Sequence, residues 1–280
     1  MRIEKITAGI DGAHGPVPVK IAGTGQDLYL FDLEALVPSV HGRMDPGLEQ
    51  YVTDFAEKHP CYIVTSYGYH VVLRTLPEHV RCVAAGIYAA SGAEIWKTDQ
   101  PVHQEDHLFR DSLYEFMAQV VQRSTYPDKK APLLDVGPAS LRLDIPGQRA
   151  TVRERQAYLR WENTHSELAN IVHEFTARFP DYQICRDGMT SLLITHRNFS
   201  ARSTLTGIKA DHPEGRILGY FRPSSLAGYA ADMAAGLQPQ DLIAEVNGPS
   251  DLAQLLKYEE RRHDCAEPAL PNALLDLLEL

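Results

Sequence analysis

The sequence predicts an α/β fold: a Rossmann-like parallel sheet core interrupted by an inserted α+β cap. Three observations carry that reading. Short apolar runs alternate with amphipathic stretches from residue 28 to about 101. Between 102 and 198 the rhythm changes to long amphipathic helices separated from alternating strands, and from 199 to 257 the strand–helix alternation returns. The chain therefore divides into an N-terminal arm (1–26), a first core segment (27–101), the inserted α+β cap (102–198), a second core segment (199–257) and a C-terminal tail or helix (258–280).

The elements follow in order. Residues 1–26 are rich in Gly and Pro and read as a loop-rich arm. Leu28–Asp32 is an apolar run closed by a carboxylate. Asp45–Lys58 carries Leu48, Tyr51, Val52 and Phe55 at helical spacing, with Pro46 where a first turn tolerates it. A strand at Cys61–Thr65, a short helix at His70–Leu76 and a strand at Cys82–Tyr88 complete the first half of the core. In the insert, Glu105–Arg123 and Thr164–Phe179 read as amphipathic helices. Leu133–Ile145 reads as a strand pair broken at Gly137-Pro138, and Tyr182–Thr195 as a hairpin turning at Arg186-Asp187-Gly188-Met189. Strand Arg216–Tyr220, helix Ala227–Gly236, strand Asp241–Val246 and helix Ser250–Lys257 restore the core rhythm. The terminal leucines (Leu270, Leu274, Leu277, Leu278) suit a helix packed on the core, with a docking or homodimer contact as the alternative.

Bulk properties narrow the function classes. With 44% hydrophobic residues over 280 positions, the chain can bury a full core. A formal net charge of −10 argues against nucleic acid or an anionic membrane as partner, because both need clustered cations. Four cysteines without metal-ligand spacing and an opening stretch without an apolar leader point to a reducing, cytoplasmic setting. No phosphate-binding glycine motif of a nucleotide site occurs, so no nucleotide cofactor is expected. His103 and His107 are spaced to share a helix face as a metal pair, but no third ligand accompanies them and a surface role is the simpler reading.

The chemistry concentrates at Asp32. A carboxylate ending a buried parallel strand lies at the ligand-binding mouth of an open α/β sheet. Such an aspartate can act as a nucleophile, and Glu34 two residues on can manage a leaving-group proton. The bland alternative is a loop-capping carboxylate.

Asp32-Leu33-Glu34-Ala35-Leu36 resembles the Asp-x-Asp-Gly-Thr signature of the haloacid dehalogenase superfamily. Ser91-Gly92-Ala93, Leu141–Arg155 and Arg186-Asp187-Gly188-Met189-Thr190-Ser191 are similar, in the same order, to turn and cap segments of eukaryotic-type phosphomannomutases and related sugar-phosphate phosphatases. The resemblance implies a core-and-cap fold, a nucleophile at Asp32, and phosphate contacts from Thr65 or Ser66, with Arg202 or Lys209 standing near the position of the family's lysine. It also implies cap contacts from Arg149 and Arg186, and a Mg²⁺ site using Asp32 and Asp232. The departures matter equally. Glu34 stands for an aspartate, and Tyr220 for a metal-binding aspartate. Misplacing a catalytic group by about 1 Å can cost about 100-fold in rate.

The expectation is therefore a phosphomannomutase-like protein with a degenerate active site. It would bind a phosphate ester or sugar phosphate between core and cap, with Mg²⁺ weakly held or absent and the standard phosphatase or mutase chemistry lost or altered. The alternatives are an active phosphatase or phosphomutase through an Asp32 aspartyl-phosphate, and a metal-free displacement at carbon by Asp32.

Overall fold

Leu28–Asp32 (β1) is buried at every position and has strands on both sides. It runs into a single helical turn, α1 (Leu33–Leu36). Then come α2 (Pro46–Lys58), β2 (Cys61–Val64), α3 (Tyr69–Thr75), α4 (Glu78–Val83) and β3 (Gly86–Ala89). A tight turn at Ala90–Gly92 leads into β4 (Glu94–Lys97) and β5 (Gln100–Gln104). The insert contains α5 (Asp111–Arg123), β6 (Leu134–Val136), β7 (Ser140–Asp144), α6 (Val152–His165), α7 (Glu167–Arg178), β8 (Tyr182–Asp187) and β9 (Ser191–His196). The chain returns through α8 (Ala201–Asp211), β10 (Ile217–Pro223), α9 (Tyr229–Ala235), β11 (Leu242–Val246) and α10 (Pro249–Cys265). This computed structural model describes residues 27–37, 40, 42–224, 228–238 and 242–265, with side chains through 261; the arm 1–26 and the tail beyond 265 lie outside the described residues.

The core sheet has the order β11-β10-β1-β2-β3-β4-β5, parallel from β11 to β3 and antiparallel for the last two strands. A parallel sheet must be covered on both faces. Alternation along β1 supplies both. Tyr29 and Phe31 pack with Phe55 of α2 and Leu252 of α10, while Leu28 and Leu30 pack with Leu205 of α8 and Met233 of α9. Asp45 caps α2 by accepting from Gly47 and Leu48 amides, which fixes the helix start at Pro46.

The cap is an antiparallel sheet, β6-β7-β9-β8. Leu141, Leu143, Leu192 and Ile194 face its own helices, meeting Phe116 of α5 and Phe175 of α7. The opposite face turns to the core: Leu193 joins the cluster that holds Tyr229 and Met233.

Several expectations are corrected. The core sheet continues to Gln104 through β5, past the expected boundary at 101. His103 therefore sits on a strand, and His107 follows it in an extended connection beside His196 and Tyr182, so the two share no helix face. Helix α5 begins at Asp111, six residues later than its pattern suggested. The helix expected over Thr164–Phe179 is two, because Ser166 takes a left-handed conformation (φ 50°) between α6 and α7. Cys82 belongs to α4, and the strand begins at Gly86.

Candidate active site between core and cap

Asp32 closes β1 with 3% of its surface exposed. Its Oδ1 accepts from the Glu34 amide at 2.9 Å, because α1 begins immediately and Asp32 is its cap. Its Oδ2 accepts from the Tyr220 hydroxyl at 3.1 Å. Burial pushes the Asp32 pKa up to about 7; the two hydrogen bonds oppose this, the Asp187 charge adds to it and the Arg222 charge opposes it. Glu34 is likewise pushed up, to about 8, by desolvation first and then by the charges of Asp32 and Asp187, against Arg142. Glu34 keeps an exposed surface, where water softens the desolvation; the two neighbouring carboxylates set the same upward direction.

Thr65 and Ser66 follow β2 and are buried. The Thr65 hydroxyl accepts from the Tyr67 amide at 3.1 Å, and its carbonyl accepts from the Ser91 amide at 3.1 Å, which ties the turn to the next strand end. Ser66 Oγ accepts from Arg142 Nη2 at 3.1 Å. Arg142 comes from β7 of the cap. Its Nε donates to Asp187 Oδ2 at 2.7 Å, and its guanidinium lies 3.8 Å from the Tyr67 ring centroid. One cap arginine thus spans a cap carboxylate, a core hydroxyl and a core aromatic face. Asp32, Glu34, Thr65, Ser66 and Asp187 surround a small enclosed space of about 10 Å³, room for roughly one water. The space in this arrangement is too small for a phosphoryl group.

The remaining expected residues are not gathered here. Arg149 is exposed in the connection before α6. Arg186 is exposed on β8, one residue from Asp187 and on the opposite face, and pairs with Glu162 at 3.3 Å. Arg202 and Lys209 are exposed on α8 and do not line the cavity. Asp232 is exposed on α9 and does not line it either. Arg142 and Asp187 were missed, although the alternation in Leu141–Asp144 already puts Arg142 on the polar face of its strand.

A divalent cation is poorly served by this donor set. Mg²⁺ needs hard oxygen acceptors in an octahedron. Both Asp32 oxygens already accept hydrogen bonds, and the neighbouring strand end presents Arg222, whose Nη2 donates to Glu245. Among the described residues no group of three His, Cys, Asp or Glu side chains is placed to hold a metal. The residues present do not fit Mg²⁺ in this arrangement.

No protein-family model matches the chain, and no curated protein matches it in sequence. Solved structures do match. An IMP-nucleotidase from Plasmodium falciparum, N-terminally truncated and bound to IMP, superposes with a TM-score of 0.55 at 12% identity, covering 83% of this chain and 68% of that one. A haloacid dehalogenase-like hydrolase from Bacteroides thetaiotaomicron gives 0.55 at 12% identity, covering 84% and 99%. The fold is that of the haloacid dehalogenase-like hydrolases. A Thermoplasma acidophilum protein, 0175, also matches, with a TM-score of 0.51 at 12% identity over 84% of this chain and 98% of its own. The haloacid dehalogenase-like frame explains why Asp32, Thr65 and Ser66 meet: all three stand at the carboxyl ends of adjacent parallel strands.

Proposed function

We propose that this haloacid dehalogenase-like chain binds a small phosphorylated molecule, a sugar phosphate or similar phosphate ester, between core and cap, with Mg²⁺-dependent phosphatase or mutase chemistry lost or strongly altered. The observation that carries this reading is the occupation of Asp32 by two hydrogen-bond donors at the mouth of the sheet, one of them the Tyr220 hydroxyl. The Tyr220 phenol beside Asp32 is a neutral donor and not the hard anionic oxygen that a cation would need there. The hydroxyls of Thr65 and Ser66 and the guanidinium of Arg142 supply the polar contacts an anion needs once the cap opens.

A second reading has its own support. The pKa of Glu34 is raised by desolvation and by the charges of Asp32 and Asp187, which favours a proton on it beside Asp32. In that scheme an Asp32 oxygen attacks phosphorus, the phosphorus–oxygen ester bond breaks, and the Glu34 proton passes to the leaving alkoxide; water then cleaves the aspartyl-phosphate. Deprotonated Asp32 is required, so this route needs a pH above about 7.

Calorimetric titration with hexose 1- and 6-phosphates tests the binding reading. Wild type is expected to bind at least one of them, and Thr65→Val combined with Ser66→Ala to bind at least tenfold more weakly. Absence of binding across the panel, in folded protein, would overturn it.

A further inference from the structure

Arg222 is the penultimate residue of β10 and stands level with Asp32, which closes β1. The two strands are parallel neighbours with Leu30 opposite Tyr220 and Phe31 opposite Phe221, so their carboxyl ends stand side by side. Leu30 and Tyr220 lie on the face covered by α8 and α9. Two residues further on, the alternation returns Asp32 and Arg222 to that same face, and the Tyr220–Asp32 hydrogen bond bridges the strands there. Pro223, the next residue, lines the Asp32 cavity, with Arg222 buried behind that wall.

The Arg222 side chain is only partly used. It is buried, with 7% of its surface exposed. Nη2 is held by Glu245 of β11, yet Nε and Nη1 are buried with no hydrogen-bond partner among the described residues. Buried guanidinium donors are rarely left unpaired, since their desolvation then goes uncompensated. Its charge also acts on Asp32, opposing the rise in that carboxyl's pKa. A guanidinium N–H donates a charge-assisted hydrogen bond to a phosphoryl oxygen, and it needs no metal to do so.

We infer that Arg222 is a resident cation of the Asp32 site, where the N–H groups on its unpaired Nε and Nη1 donate to phosphoryl oxygens in place of a divalent metal and make phosphate binding metal-independent. The inference rests on the phosphate-ester reading above. It also accounts for the poor fit to Mg²⁺: a fixed positive charge stands beside the carboxylate that a cation would have to share.

The test is calorimetric titration of the full-length protein with inorganic phosphate, once in EDTA and once in excess Mg²⁺. Equal affinity in the two buffers is expected for wild type, with at least a tenfold loss in Arg222→Gln. Arg222→Lys, which keeps a charge but not the Nε and Nη1 donors, is expected to lose affinity several-fold; it carries the comparison if Arg222→Gln does not fold. Wild-type binding that appears only with Mg²⁺, or unchanged affinity in either variant, would overturn the inference and leave the phosphate-ester reading standing. No phosphate binding by wild type in either buffer would overturn that reading and the inference with it.

Discussion

Tyr220 on β10 donates its hydroxyl to Asp32 Oδ2 on β1 at 3.1 Å, placing a phenol against the one carboxylate around which the site is built. The contact stabilises the charged form of Asp32. Tyr220→Phe should therefore raise the Asp32 pKa further above 7 and destabilise the fold by about 1 kcal/mol, the usual net worth of such a bond. Carbon-13 titration of the aspartate carboxyls reads the first effect and urea unfolding the second. An unmoved Asp32 titration would show that the hydroxyl does not act on it.

Stability should depend on pH with a definite sign. In the folded protein Asp32 titrates near 7, above its ordinary 3.8. Between those values the folded state holds a proton that the unfolded chain has released, so this contribution to stability is fully present below about 4 and is lost as pH rises through 7. Glu34 adds in the same direction. Asp32→Asn should then be more stable than wild type at pH 8, with the advantage shrinking toward pH 4. Denaturant melts across that range provide the check, and a variant with an unchanged pH profile would contradict the burial assigned to Asp32.

The Arg142–Asp187 pair is buried on both sides, with side-chain exposures of 9% and 7%. Removing one partner from a buried pair typically costs about 3–5 kcal/mol, because the other charge is left uncompensated. Arg142→Met should fall in that range, and adding Asp187→Asn should restore part of the loss. Additive losses in the double-mutant cycle would show that the two charges do not depend on each other.

Gly228 sits where α9 meets the cap hairpin. Its φ of +72° disfavours other residues, and an added Cβ would lie 2.5 Å from the Arg186 carbonyl oxygen. Gly228→Ala should cost about 1–3 kcal/mol through backbone strain alone. It should also push β8 away from the core, which limited proteolysis of the core–cap connections would register as faster cleavage. Wild-type cleavage rates would show that the cap tolerates the change.

The core was legible because its strands are short, apolar runs bounded by turn residues: β1 and β2 are buried at every position, as parallel strands are. Helix α8 escaped notice for the opposite reason. Ser203, Thr204, Thr206 and Gly207 weaken its local preference, and it is a Ser200–Ser203 capping box and the burial of Leu205 and Ile208 that establish it. Helix α6 buries only Tyr158 and Glu162 and so shows little apolar periodicity. The core side of the site, Asp32, Glu34, Thr65 and Ser66, follows from strand ends. The cap side does not. Arg149 and Arg186 stood out by motif, yet it is Arg142 that reaches the core, and which cap side chain does so depends on how β7 lies over β2.

The most direct measurement follows phosphorus-31 spectra of a sugar-phosphate panel with wild type and Asp32→Asn, with and without Mg²⁺. Binding without turnover should broaden or shift at least one ester resonance in wild type and release no inorganic phosphate on adding Mg²⁺. Mg²⁺-dependent release of inorganic phosphate that disappears in Asp32→Asn would contradict this and establish an aspartyl-phosphate enzyme.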